Sequence, residues 1–121
     1  MVRALVPMCH VQSVPRSIEF YRKLGFRLGN TFTPDGAAEA SWAWLHTNAG
    51  AQMMVTRASE PVIASQQAVL FYMYCDDVAA KHAELQRSGI GVGTIAFPFY
   101  APRGEFRIED PDGYVLMVTH T

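Results

Sequence analysis

The segment His10–Phe26, "HVQSVPRSIEFYRKLGF", aligns without a gap onto Tyr74–Ile90, "YCDDVAAKHAELQRSGI". Val14 meets Val78 and Gly25 meets Gly89, each pair 64 residues apart. A 121-residue chain that repeats itself at this spacing is built from two similar supersecondary units. Each copy reads as strand, polar cap, amphipathic helix, glycine stop and strand. In the first, Ser13 is placed to cap the helix, and Pro15 falls in the first turn, where a missing N–H costs little. Ile18, Tyr21 and Leu24 form an apolar stripe with Phe20 beside it. Gly25 ends the helix. In the second, Asp76 or Asp77 caps, Val78, His82 and Leu85 make the face, and Gly89 stops it.

Short alternating segments follow each helix. "FRLGNTF" reads as a strand turning at "TPDGAA", and "ASWAWLHT" and "QMMVTR" as a hairpin across Asn48-Ala49-Gly50. In the second copy "GVGTIAF" reads as a strand, "FYAPR" as a loop, and "EFRIED" and "YVLMVTH" as the last two strands. "ASEPVIASQQ" links the halves. The expected architecture is α+β: two tandem βαβββ modules, at about 1–60 and 67–121 of a single domain, with two helices and about eight strands.

Bulk properties exclude several classes. Half the residues are hydrophobic and 17% are charged, which fits a folded globular chain. Net charge is −1 and no basic run exists, which argues against a nucleic-acid partner. No apolar stretch reaches the roughly 18 residues needed to span a bilayer, and "MVRALVPMCHVQS" makes a poor signal peptide. Cys9 and Cys75 form neither a CxxC pair nor a disulfide framework. They read as buried thiols in a reduced, cytoplasmic compartment.

The paired modules, with "SIEFYRKLGF" in the first helix and "GEFRIEDPDGY" before the last strand, resemble the vicinal oxygen chelate superfamily. That group includes glyoxalase I, extradiol dioxygenases, and the fosfomycin- and bleomycin-resistance proteins. The resemblance implies curved sheets forming a cup, and in the enzymes a divalent metal held there by four inward side chains. Position by position, the two histidine sites fall near Val6 and Leu70. The final glutamate site falls on Met117, and the fourth on Gln52 or Met54. Val, Leu and Met are poor ligands for such a cation. The implied relative is therefore the bleomycin-resistance branch, which uses the cup without metal or other cofactor and binds in place of catalysing. The resemblance also implies a homodimer.

Strand alternation divides the residues between two faces. Cys9, Val11, Ala43, Leu45, Met53 and Val55 suit the helix side of the first module. Phe71, Met73, Cys75, Leu116 and Val118 suit that side of the second. The opposite face then carries Met8, His10, Trp42, Trp44, Gln52 and Met54 in one module. Its counterpart carries Leu70, Tyr72, Tyr74, Glu105, Arg107 and Met117, with Phe99 on the loop "AFPFYAPRGEF" as a lip. Aromatic and methionine side chains with a few polar anchors describe a pocket for an apolar small molecule. Each has a plainer reading. The tryptophans and methionines can be packing, and His10 a hydrogen-bonded strand residue. His46 and His120 can be solvated chain-end histidines, and His82 a structural one. Glu105 and Arg107 can be a surface ion pair, and Asp110 and Asp112 turn-formers.

Three functional readings follow. The first is a metal-free protein that sequesters a planar or hydrophobic ligand, antibiotics included, with no catalytic residue. The second is a metal-dependent lyase, isomerase or dioxygenase drawing on His10, His46, Gln52 and Glu105. The third is a domain kept for its protein contacts.

Overall fold

The structure is a computed structural model describing residues 1–121. The chain divides into two compact units, Met1–Val62 and Ile63–Thr121. The first unit runs β1 (Met8–Val11), α1 (Val14–Lys23), β2 (Arg27–Phe32), β3 (Trp42–His46) and β4 (Gln52–Arg57). The second runs β5 (Leu70–Tyr74), α2 (Val78–Arg87), β6 (Phe106–Glu109) and β7 (Val115–Thr119), preceded by a short 3-10 turn at Ala64–Gln66.

The helices are delimited identically. Ser13 Oγ accepts from the Arg16 N–H at 3.3 Å, and Asp77 Oδ1 accepts from the Ala80 N–H at 2.9 Å. Asp77, not Asp76, is thus the cap of α2. At the other end Gly25 and Gly89 take φ of 108° and 85°, which side-chain-bearing residues rarely adopt. The reversal lets the Phe26 N–H reach the Tyr21 carbonyl and the Ile90 N–H reach that of Leu85, at 3.0 and 3.1 Å. This is the same C-terminal closure in both copies. The apolar stripe of α1 is rotated from the expected one. Val14, Ser17, Tyr21 and Leu24 are buried, while Ile18 and Phe20 are half-buried. Tyr21 takes the central place and meets Phe20 and Phe26 edge-on.

The first sheet has the order β1-β4-β3-β2, with β1 parallel to β4 and the other pairs antiparallel. The second has the order β5-β7-β6, with β5 parallel to β7 and β6 antiparallel to it. The strand at "GVGTIAF" does not form, leaving seven strands where about eight were expected. Ala96 makes one bridge with Glu105, but the next bond runs from the Gly93 N–H to the Arg107 carbonyl. Three residues span what two do opposite, so the segment bulges out of the ladder. His82 secures the bulge by a 2.9 Å bond to the Gly93 carbonyl while meeting Phe106 edge-on. It is structural, as expected.

Helix-side positions are buried along β1, β3, β4 and β7: Cys9, Val11, Ala43, Leu45, Val55, Leu116 and Val118 all lie within the core. Phe71 and Met73 on β5, and Cys75 just past it, are only half-buried. Strand β5 is an edge strand and has a neighbour on one side alone. "DPDG" is a backbone-bonded turn. Asp110 Oδ1 accepts from the N–H groups of Asp112 and Tyr114, both at 2.9 Å, and the Gly113 N–H reaches the Asp110 carbonyl.

Candidate ligand-binding site

Burying one side of each sheet leaves the other side accessible. In the first unit the register sets Met8, Met54 and Trp44 in one row across three strands. In the second it sets Tyr72, Met117 and Arg107 in the corresponding row. Met54 is therefore the counterpart of Met117 in the repeat. Trp44 is the counterpart of Arg107, so one repeat puts an indole where the other puts a guanidinium.

Trp44 is held on three sides. Its Nε1 donates to Gln52 Oε1 at 3.2 Å, and its ring stacks on His46 with centroids 4.5 Å apart and planes 19° from parallel. The indole also lies over Gly29, where an added Cβ would collide with its six-membered ring. Glycine inside a strand often marks such a close approach, and Gly29 is the one sequence signal that could have announced it. His46 is thus a stacking partner rather than a solvated chain-end residue. Trp42 and Met54 are half-buried, and Met8, His10 and Gln52 are exposed.

In the second unit Leu70, Tyr72 and Tyr74 are exposed along β5, and the two tyrosine rings lie near parallel with centroids 6.3 Å apart. Met117 is half-buried beside them. Arg107 and Glu105 do not form the expected polar pair. Arg107 reaches Glu109 Oε1 at 3.0 Å on the exposed surface. Glu105 is only 7% exposed, and its Oε1 accepts from the Tyr100 hydroxyl at 2.9 Å. The bond raises the Tyr100 pKa above the usual tyrosine value, since losing the proton would set two anions together. Thr119 is likewise buried, donating from Oγ1 to the Gly104 carbonyl.

The loop 97–104 is tied down at its base and open at its tip. Arg103 gives its backbone N–H to His120 Nε2 and a guanidinium N–H to the Thr121 carbonyl, each at 3.0 Å. His120 is therefore a loop anchor rather than a solvated terminus. At the tip Phe99 is 96% exposed and meets Tyr100 edge-on.

A divalent metal does not fit the residues at the family's ligand positions. At the positions the resemblance implies, Val6, Leu70 and Met117 carry no suitable donor, and Gln52 or Met54 offers at most one amide oxygen. No group of three or more His, Cys, Asp and Glu side chains comes together that could hold a metal ion. Nor is any helix long and apolar enough to cross a membrane.

Residues 7–118 match the Glyoxalase/Bleomycin resistance protein/Dioxygenase superfamily, and the chain belongs to that family. No curated protein matches the sequence. Among solved structures, the chain is similar to a bleomycin-binding protein complexed with bleomycin, at 16% identity over 99% of both chains and a TM-score of 0.76. It is also similar to the bleomycin resistance determinant encoded on the transposon Tn5, at 15% identity over 99% of this chain and 98% of that one, with a TM-score of 0.77. A third is TnmS3, an antibiotic binding protein from Streptomyces sp. CB03234, at 22% identity over 99% and 98% and a TM-score of 0.71. At these identities the likeness establishes the glyoxalase-like fold.

Proposed function

We propose that this chain is a metal-free binding protein that sequesters a planar or hydrophobic small molecule, antibiotics being the leading class. The observation that carries the reading is the corresponding row in each sheet, Met8–Met54–Trp44 and Tyr72–Met117–Arg107. These positions join apolar and aromatic surface to single polar anchors. Such surface binds a flat ligand by burial and stacking. Bleomycin and antibiotic binding by three proteins of like fold supports the choice of ligand class. The binding residues are Met8, His10, Trp42, Trp44, Gln52 and Met54 on one face. On the other they are Leu70, Tyr72, Tyr74, Arg107 and Met117, with Phe99 and Glu105 from the lip.

The working form is a homodimer acting in the cytoplasm. The dimer is supported by the exposed apolar side chains, Leu70, Tyr74 and Phe97 among them. Two free cysteines suit a reducing compartment. Catalysis by a metal-dependent lyase, isomerase or dioxygenase would need histidines that Val6 and Leu70 replace.

Tryptophan fluorescence, titrated with bleomycin and with a panel of planar aromatics, tests the reading. Saturable quenching by at least one compound, with less than a tenth of an equivalent of Ni, Zn, Fe or Mn, is expected. One tightly held metal per chain, or no response to any compound, refutes it. Sedimentation should give twice the 13.4 kDa chain mass at micromolar concentration.

A further inference from the structure

The Glu105 carboxylate is buried and incompletely satisfied. It is 7% exposed, and Oε2 is buried with no hydrogen-bond partner. Its other oxygen takes one neutral donor, the Tyr100 hydroxyl. The two arginines that flank it in sequence are committed elsewhere, Arg107 to Glu109 and Arg103 to the Thr121 carbonyl. A buried carboxylate without a counter-charge is costly, and such groups concentrate where a ligand completes them.

The surroundings define which ligand group would do so. Glu105 closes the loop that carries Phe97, Phe99 and Tyr100, exposed by 68%, 96% and 60%. Tyr100, whose hydroxyl meets the carboxylate, sets an aromatic ring next to it, and ring and carboxylate together attract a cation through quadrupole and charge. A flat cation with two parallel N–H groups matches both carboxylate oxygens at once. Tyr100 is the closing group, with an exposed ring and a hydroxyl bonded to Oε1.

We propose that Glu105 is a recognition subsite for a protonated nitrogen (an amine, amidine or guanidine) on an aromatic ligand, with Tyr100 the side chain that swings aside to admit it. The subsite rests on the small-molecule-binding reading above and narrows it to cationic ligands. It differs from the metal positions, because Glu105 lies on none of them.

Calorimetry with two near-isosteric probes, cationic 2-naphthamidine and neutral 2-naphthamide, tests the assignment. The native protein should prefer the amidine at least tenfold. Glu105→Gln should abolish the preference by bringing amidine affinity down to the level of the amide. It should also melt at the same or a higher temperature, because the unpaired charge is gone. Tyr100→Phe should retain the preference and bind the amidine several-fold tighter, because the competing donor is removed. Equal affinity of the native protein for both probes overturns the subsite and leaves the binding reading standing. Binding of neither probe at millimolar concentration defeats both. Loss of folding in Glu105→Gln makes the carboxylate structural and overturns the subsite. So does a change of oligomeric state with the preference intact, which would give the carboxylate to a cation of a partner chain.

Discussion

Replacing Trp44 by alanine separates a binding indole from a packing one, because the two roles predict different magnitudes. The side chain is half-buried, and three contacts set its worth to the fold. Stacking on His46 is worth about 0.5–1 kcal/mol. The solvent-accessible bond to Gln52 adds about 0.5 kcal/mol. Covering Gly29 removes part of the ring's apolar surface from water, which at about 25 cal/mol per Å² is worth on the order of 1 kcal/mol. The expected loss is therefore about 2 kcal/mol, below the roughly 3–5 kcal/mol of a fully buried tryptophan. Binding of a planar probe should fall by about 1–3 kcal/mol, the scale of a desolvated aromatic contact, or roughly 5- to 150-fold.

Urea unfolding followed by far-ultraviolet circular dichroism gives the first quantity, and calorimetry with 2-naphthamide the second. Trp42 remains as a fluorescent reporter in the variant. Combining Trp44→Ala with Gln52→Ala should reveal a coupling near 0.5 kcal/mol, since the pair share one exposed bond. A stability loss above about 4 kcal/mol with probe binding per folded molecule unchanged would sink the reasoning. It would make the indole a core residue and the face assignment wrong.

Three further outcomes are expected. Tyr100, whose proton is held by the Glu105 carboxylate, should ionise above the usual tyrosine range in a titration at 295 nm. Because its folded pKa is raised, its stabilising effect is complete below the unfolded value near 10 and lost as pH rises through the folded one, so native protein and Tyr100→Phe should converge in stability at high pH. Met117→Glu should bind no stoichiometric Ni or Zn by elemental analysis, because Val6 and Leu70 supply no partner ligands; it should also weaken 2-naphthamide binding by placing a charge on a half-buried site. Cys75 should alkylate slowly with iodoacetamide near neutral pH and much faster above pH 9, because partial burial raises its thiol pKa, with Lys81 opposing.

Most of the fold was legible because its signals are local. Caps three residues from the amides they satisfy, glycines one turn past a stripe, and a hairpin around Asn48-Ala49-Gly50 need no tertiary information. The alternation of β3 and β4 placed Trp42, Trp44 and Met54 opposite Ala43, Leu45 and Val55, because one buried face fixes the register. Failures arose where tertiary contact overrides pattern. "GVGTIAF" alternates like a strand, yet His82 captures the Gly93 carbonyl and the segment bulges. Alternation placed Glu105 with Arg107, but the loop that follows Ala96 folds back and gives the carboxylate to Tyr100. No periodicity encodes that closure.

The repeat itself says where to look for what distinguishes this chain. Corresponding positions in the two units share backbone geometry, so a difference between them reflects side-chain chemistry. Methionine is kept at both Met54 and Met117, the centre of each row. The flanking position is Trp44 in one unit and Arg107 in the other. The outer strand offers Met8 in one and Tyr72 in the other. Conserving the apolar centre suits a surface that excludes water. Diversifying the flanks gives each unit a surface of its own chemistry, one suited to stacking on a flat group and one able to hydrogen-bond. Exchanging the flanks tests this directly. Arg107→Trp would give both rows an indole and release Glu109 from its ion pair, a surface pair worth at most about 1 kcal/mol. The fold should therefore survive. If the Arg107 row is itself a recognition surface, the variant should gain affinity for 2-naphthamide and lose selectivity among polar-substituted naphthalenes. If it binds every substituted naphthalene as the native chain does, Arg107 is a surface residue and only the tryptophan-bearing face binds.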